Sequence, residues 1–178
     1  MTTSDDPPIR LLIADACVII DLAKGDGLGF VADLVSHGFA EVCMPRLVAG
    51  EVMREVDAET LRSLGVKFVV PTVGEAMMIA RDIPASSPLS APDREVYVIA
   101  KSRGMTVWSN DSDLRKHSRR NDVPVSWCFT EIVRLVAAGL RTADEVLSVA
   151  AKIEETNLYQ KGLATRVAAK LKALAGGE

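Results

Sequence analysis

Short apolar runs alternate along this chain with stretches whose apolar positions recur every three to four residues. The first run, Ile9 to Ala14, carries one arginine and stops at Asp15, which predicts a buried strand handing over to a helix. Phe39–Met44 predicts a second strand, closed by Pro45, a residue suited to the first turn of a helix. The next helix is expected over residues 45–65, with Leu47, Val48, Val52 and Val56 on one flank and Gly65 as its stop. Lys67–Val70 reads as a strand ahead of Pro71, and Val73–Arg81 as a helix. DIPASSPLSAP reads as a loop. Asp93 then stands at or near the first turn of a helix that runs through Arg103 and ends at Gly104. MTVWSND is another strand, with Ser109, Asn110 and Asp111 at its C-terminal end. SDLRKHSRR predicts a basic helix, Val123–Trp127 a last short strand, and FTEIVRLVAAG a helix stopped by Gly139.

Strand and helix in alternation imply a parallel sheet covered on both faces, a three-layer α/β/α arrangement. From Leu140 onward the pattern is helical only, and the first of two further helices has Thr142 as its cap with Glu145 three residues on. The chain thus divides into a disordered lead-in (1–8), a domain (9–139) and a helical extension (140–178) packed on that domain or on a partner. Leu158, Leu163, Val167, Leu171 and Leu174 give the extension an apolar face, which either closes the chain's own core or meets another chain.

Composition narrows the classes. With 178 residues, nearly half apolar and a quarter charged, the chain suits a globular domain that needs no staples. Twenty-one basic side chains against 24 acidic ones, a formal net charge of -3, argue against binding nucleic acid through bulk positive charge. Cys17, Cys43 and Cys128 are odd in number and far apart, and read as core thiols of a reducing compartment. Two histidines, His37 and His117, give almost no support to a zinc site. The polar start MTTSDDPPIR lacks the form of a signal peptide, and no apolar run approaches the roughly 20 residues that span a bilayer. A cytoplasmic protein with no membrane association is expected.

The acids carry the chemistry. Asp15 and Asp111 end two strands, Asp93 starts the helix that feeds the second of them, and Glu51 lies one to two turns into the helix after strand two. The crevice beyond the carboxyl ends of parallel strands is where ligands bind in open α/β sheets. Carboxylates gathered there repel one another unless a cation is present, and Mg2+ or Mn2+ suits such oxygen ligands. Each acid also has a plainer reading: Asp15, Asp93 and Asp111 as helix caps or turn residues, Glu51 as a solvated helix face. Arg115, Lys116, His117, Arg119 and Arg120 form the densest basic run. It is either a phosphate-holding segment or a solvated face. Trp108 is expected in the core; Trp127 is read as core or interface packing ahead of a base-stacking role. Asp21 is expected at the surface or in a helix–loop contact. Gly25, Gly27 and Gly29 match neither a phosphate loop nor a dinucleotide fingerprint.

In order and spacing these segments resemble the PIN domain, the fold of ribonuclease toxins in many toxin–antitoxin pairs. LLIADACVIIDL resembles its first motif, with Asp15 on the terminal acid, and MPRLVAGEVMREV its second, with Glu51. LSAPDREVYVIAKSRGMTVWSNDSDLRKHSRRNDVPV resembles the long third block, with Asp93, Asp111 and more weakly Asp113 on its acids. Ser109 falls on the small polar residue two positions before the strand-end acid. The likeness covers about residues 9–137. It implies a PIN-like α/β/α fold with a metal centre of Asp15, Glu51, Asp93 and Asp111, supported by Ser109, Asn110 and Asp113. It also implies Mg2+- or Mn2+-dependent cleavage of single-stranded or structured RNA, and control by a cognate antitoxin. A homodimer is a further expectation. Arg94, Arg115, Lys116, Arg119 and Arg120 are the candidates for RNA contact. Two departures stand out: Arg94 directly follows Asp93, where its guanidinium either engages phosphate or neutralises the acids, and the helices after Leu140 exceed the family core. The rival readings are a catalytically weak PIN-like binding or scaffold module and a DNA-directed nuclease. A phosphotransfer protein is disfavoured, because Asp15-Ala16-Cys17 lacks the second aspartate such a site needs.

Overall fold

A computed structural model of the chain describes residues 9–83, 87–157 and 160–176. The expected lead-in at 1–8 and Leu158 lie outside the described residues. Five strands, β1 (Arg10–Ala14), β2 (Ala40–Pro45), β3 (Lys67–Val69), β4 (Thr106–Trp108) and β5 (Val125–Ser126), form one sheet in the order β3-β2-β1-β4-β5. Every neighbouring pair is parallel, with Ile13 opposite Cys43 on one side and Val107 on the other. β1 and β2 are central, and their inner residues Leu12, Ile13, Val42 and Met44 are fully buried, as near-continuous apolar runs require between two layers.

Among the described residues ten helices cover the sheet: α1 (Ala16–Lys24), α2 (Gly29–Ser36), α3 (Arg46–Val52), α4 (Ala58–Ser63), α5 (Val73–Asp82), α6 (Ala91–Arg103), α7 (Ser112–Arg120), α8 (Cys128–Ala137), α9 (Ala143–Thr156) and α10 (Leu163–Ala175). α6 lies across β1, β2 and β4 with α3, α5 and α7 beside it, while α2 and α8 pack together in the other layer of a three-layer α/β/α architecture. Capping chemistry sets several boundaries. Thr72 with Glu75, Ser90 with Asp93 and Thr142 with Glu145 each form a reciprocal capping box, and Gly104 ends α6 in the left-handed conformation (φ 64°).

The single helix expected over residues 45–65 is two. Asp57 takes an extended conformation, and its carboxylate accepts the Thr60 N–H at 2.8 Å, so a new helix starts there. This is the local side-chain competition that makes aspartate a poor residue inside a helix and a good one at its start. Val48, Val52, Val56 and Leu61 are buried across the break, whereas Leu47 is not. The last strand is shorter than expected because Trp127 already caps α8.

The extension packs on the body. α9 contacts α1 and α8, and α10 contacts α8 and α9. Its apolar face is largely used inside the chain: Val146, Ala150, Ile153, Leu163 and Val167 are fully buried and Leu171 nearly so, while Leu174 stays exposed. The surface that pointed to a partner is therefore mostly core. Gly25 and Gly27 explain themselves here, since a Cβ would stand 2.6 Å from Ile153 Cγ1 at the first and 2.7 Å from Val149 Cγ1 at the second. Arg141 fastens the start of α9 to Asp33 of α2 (2.5 Å), and Lys152 pairs with Asp26. Glu131, fully buried in α8, accepts from Arg10 (2.8 Å), Arg134 (2.8 Å) and the Ser126 hydroxyl (2.6 Å), joining β1, β5 and α8. Among the described residues no helix is long and apolar enough to cross a membrane.

Candidate functional site

β1 and β4 are neighbours, and the chain leaves them toward opposite edges of the sheet, β1 toward β2 and β4 toward β5. Such a reversal opens a crevice beyond the C-terminal ends of the two strands. Asp15 follows β1, and Ser109, Asn110 and Asp111 follow β4, so all four stand at that crevice.

Asp15 occupies the N-cap position of α1 yet makes no side-chain cap bond. Its Oδ2 instead accepts from the Ser109 hydroxyl at 2.7 Å and the Cys17 thiol at 2.8 Å. Ser109, fully buried, also receives the Asp111 N–H at 2.9 Å, so one hydroxyl ties the ends of β1 and β4 together. Burial pushes the Asp15 carboxyl up to about 6; the bonds from Cys17 and Ser109 oppose that rise, and the nearby Asp93 charge adds to it. Burial and the Asp15 carboxylate hold the Cys17 thiol well above its ordinary value, so it stays a protonated donor.

The other acids are partly committed elsewhere. Asp93 Oδ2 accepts the Ser90 N–H at 2.9 Å within its capping box. Asp111 caps α7, its Oδ1 accepting the N–H groups of Asp113 and Leu114 at 2.8 and 2.7 Å. Glu51 is exposed on α3. That helix is steadied by Glu95 of α6, whose buried carboxylate accepts the Leu47 N–H at 2.8 Å. Among the described residues no group of three or more His, Cys, Asp or Glu side chains is placed to hold a metal ion. Asp15 and Asp93 sense each other's charge, and Asp111 reaches Asp15 through Ser109. Among the described residues no hydrogen bond or ion pair joins Glu51 to them.

Asp113 is exposed and pairs with Lys116 at 3.4 Å. Arg94 donates through Nε to Leu89 O at 3.0 Å, fixing the approach to α6. Arg119 and Arg120 are exposed on α7. Arg115 differs: half-buried, it donates to Asp111 O (3.1 Å) and Asn110 O (3.4 Å) at the wall of a cavity of about 710 Å³.

That cavity contains what sequence reasoning missed. Asp21, expected at the surface or in a helix–loop contact, is 3% exposed and makes the second, to partners that the sequence did not name. Its carboxylate accepts three amides: Asn110 Nδ2 at 2.8 Å, Asn157 Nδ2 at 2.9 Å and Gln160 Nε2 at 3.1 Å. Asn110 does orient an acid, but the acid is Asp21. Gln160 and Arg166, from the C-terminal extension, complete the cavity wall opposite Arg115 and the half-buried Trp127. A signal for Asp21 was present, because it is the only charged residue in ACVIIDLA. Nothing in the sequence marked Asn157, Gln160 or Arg166.

No family model and no curated protein matches the chain. Among solved structures it is similar to a domain of a functionally unknown protein from Methanocaldococcus jannaschii DSM 2661, with a TM-score of 0.39 and 15% identity over 66% of this chain and 90% of that one.

Proposed function

We propose that the protein is a Mg2+- or Mn2+-dependent nuclease of the PIN type that cuts single-stranded RNA as the toxin of a toxin–antitoxin pair. The observation that carries the metal part of this reading is Asp15: a buried carboxyl at the strand-end crevice, pushed up to about 6 by burial with the Asp93 charge adding to the rise. A divalent cation between the two acids reverses both effects, since an opposite charge favours the ionised form. The donor set fits magnesium, which takes one or two carboxylates and keeps several waters. Three converging acids are therefore not required. Asp15 and Asp93 would hold the ion, with Asp111 and Glu51 as the further carboxylates of the set. When bound, the ion supplies a Lewis acid and lowers the pKa of a coordinated water. Ser109 and Cys17 hold Asp15 Oδ2, which fixes the carboxylate plane and leaves its second oxygen for the ion. The choice of RNA and of an antitoxin partner rests on the PIN resemblance.

A second reading has an observation of its own. The caps that occupy Asp93 and Asp111, with Glu51 apart on α3, favour a PIN-like body that binds and does not cut. Calorimetric titration of Mg2+ and Mn2+ into the wild type and Asp15→Asn, followed by incubation with labelled RNA and DNA strands, separates the two. Metal binding lost in Asp15→Asn and chelator-sensitive RNA cleavage lost in Asp93→Asn are expected. Cleavage that survives both chelator and Asp93→Asn refutes the mechanism, and cleavage confined to DNA refutes the substrate. No cleavage of any strand by the purified protein leaves the binding module.

A further inference from the structure

We infer that the cavity between α7 and the C-terminal extension is a backbone-and-base subsite for a single nucleic-acid strand, with Arg115 and Arg166 on a phosphate and Trp127 under a base. The inference rests on the nucleic-acid reading above and assigns a role to the extension, which that reading leaves idle.

Three observations converge. The cavity, about 710 Å³, adjoins the acids, because Asn110 and Asp111 belong both to its wall and to the end of β4. A strand held there would therefore pass the Asp15–Asp93 pair. Arg115 and Arg166 enter it from α7 and α10, and among the described residues neither makes an ion pair; Arg115 donates to Asp111 O and Asn110 O, and Arg166 to Lys161 O and Gln160 Oε1. Two guanidiniums facing one cavity suit an anion between them, and guanidinium matches phosphate geometry. Trp127, half-buried with its ring tilted 47° against Phe129, lines the same space. Base–aromatic stacking tolerates any base.

Asp21 makes the wall. Its buried carboxylate accepts three amide donors, which fixes the side chains of Asn110, Asn157 and Gln160 around it. Two of the three come from the segment that joins α9 to α10, so Asp21 holds that segment in place and Arg166 follows at the first turns of α10.

The test is metal-free binding of a short labelled RNA strand, and of the DNA strand of the same sequence, to the full chain in chelator. Fluorescence anisotropy is followed over a salt series. Arg166→Gln and Arg115→Gln are each expected to weaken binding several-fold and to flatten the slope of log K against log salt by about 0.7, one single-strand phosphate contact. Arg62→Gln, which removes an equal charge on the far edge beside Phe68, is expected to do neither. RNA should quench the tryptophan emission, and Trp127→Phe should abolish that quench, since Trp108 is fully buried. Wild-type affinity and slope in Arg166→Gln overturn the subsite, as does unchanged Trp127 emission or a wild type that binds no strand. More than tenfold discrimination between RNA and DNA also overturns it, because neither contact reads a 2′-hydroxyl. Failure of the catalytic reading looks different: Arg166-dependent binding with no cleavage in Mg2+ or Mn2+ leaves the subsite standing. Cleavage with a KM indifferent to Arg166 removes the subsite and leaves the nuclease.

Discussion

Replacing Asp15 by asparagine is expected to stabilise the metal-free protein at neutral pH. The folded-state value of about 6 lies above the ordinary 3.8, so the folded chain holds this proton more tightly than the unfolded chain does. Stability contributed by the protonated group is therefore complete below about 3.8 and lost as pH rises to about 6 and beyond. The gap between the two values, at about 1.4 kcal/mol per pH unit, comes to roughly 3 kcal/mol. Asparagine mimics the protonated acid: its carbonyl oxygen accepts from Ser109 and Cys17 as Oδ2 does, and it presents no charge to Asp93. Urea unfolding in chelator across about pH 4 to 8 would follow both proteins. The two curves should lie close together at the acid end and diverge by roughly 3 kcal/mol at the other, equivalent to a rise in Tm of about 6–12 °C for a chain of this size. Added Mg2+ should close the gap by stabilising only the wild type. A constant difference across the whole range, or a less stable Asp15→Asn at neutral pH, would refute the account of Asp15 as a destabilising buried charge.

Two structural predictions accompany the binding and cleavage outcomes above. Asp21→Asn sets a new N–H donor against one of three amide donors, which should cost about 1–3 kcal/mol and quicken proteolysis between α9 and α10; unchanged unfolding and cleavage rates would count against the anchor. Glu131→Ala strips the common acceptor from Ser126, Arg10 and Arg134. The loss should be about 2 kcal/mol, below the roughly 3–5 of a fully buried pair, because Arg10 keeps about half its side chain in water; a neutral urea midpoint would refute it.

The sheet was legible because its strands are continuous apolar runs, a pattern that parallel strands buried on both faces must have. Asp15 and Ser109 were legible for a related reason: a polar residue that closes such a run is carried to the strand end. What failed to read was long-range. Asp57 could be seen as an acid but not as the start of α4, because the apolar spacing of Val52, Val56 and Leu61 continues across it. Asp21 reads as one acid on an amphipathic helix until its partners are known, and those lie 136 and 139 residues away. For Asp93 and Asp111 spacing left a ligand and a cap reading both open, and the N–H groups that their oxygens accept came only with the structure. Position follows from the strand pattern; the orientation of a carboxylate follows from which N–H groups are near it.

The tethering of Asp21 to Asn157 and Gln160 has a consequence for the order in which the protein is made. During synthesis the sheet and every acid of the crevice leave the ribosome before Asn157, Gln160 and Arg166, which complete the cavity wall. Until α9 and the residues after it arrive, Asp21 has one amide donor of its final three, and the turn at Gly25 and Gly27 has no helix lying on it. A fragment cut to residues 9–139 would freeze that intermediate stage, with Asp15, Asp93 and Asp111 present but the Arg166 side of the cavity gone. Measurements on such a fragment would report on the acids with half of the cavity, so strand binding and cleavage are to be compared on a chain that keeps α9 and α10.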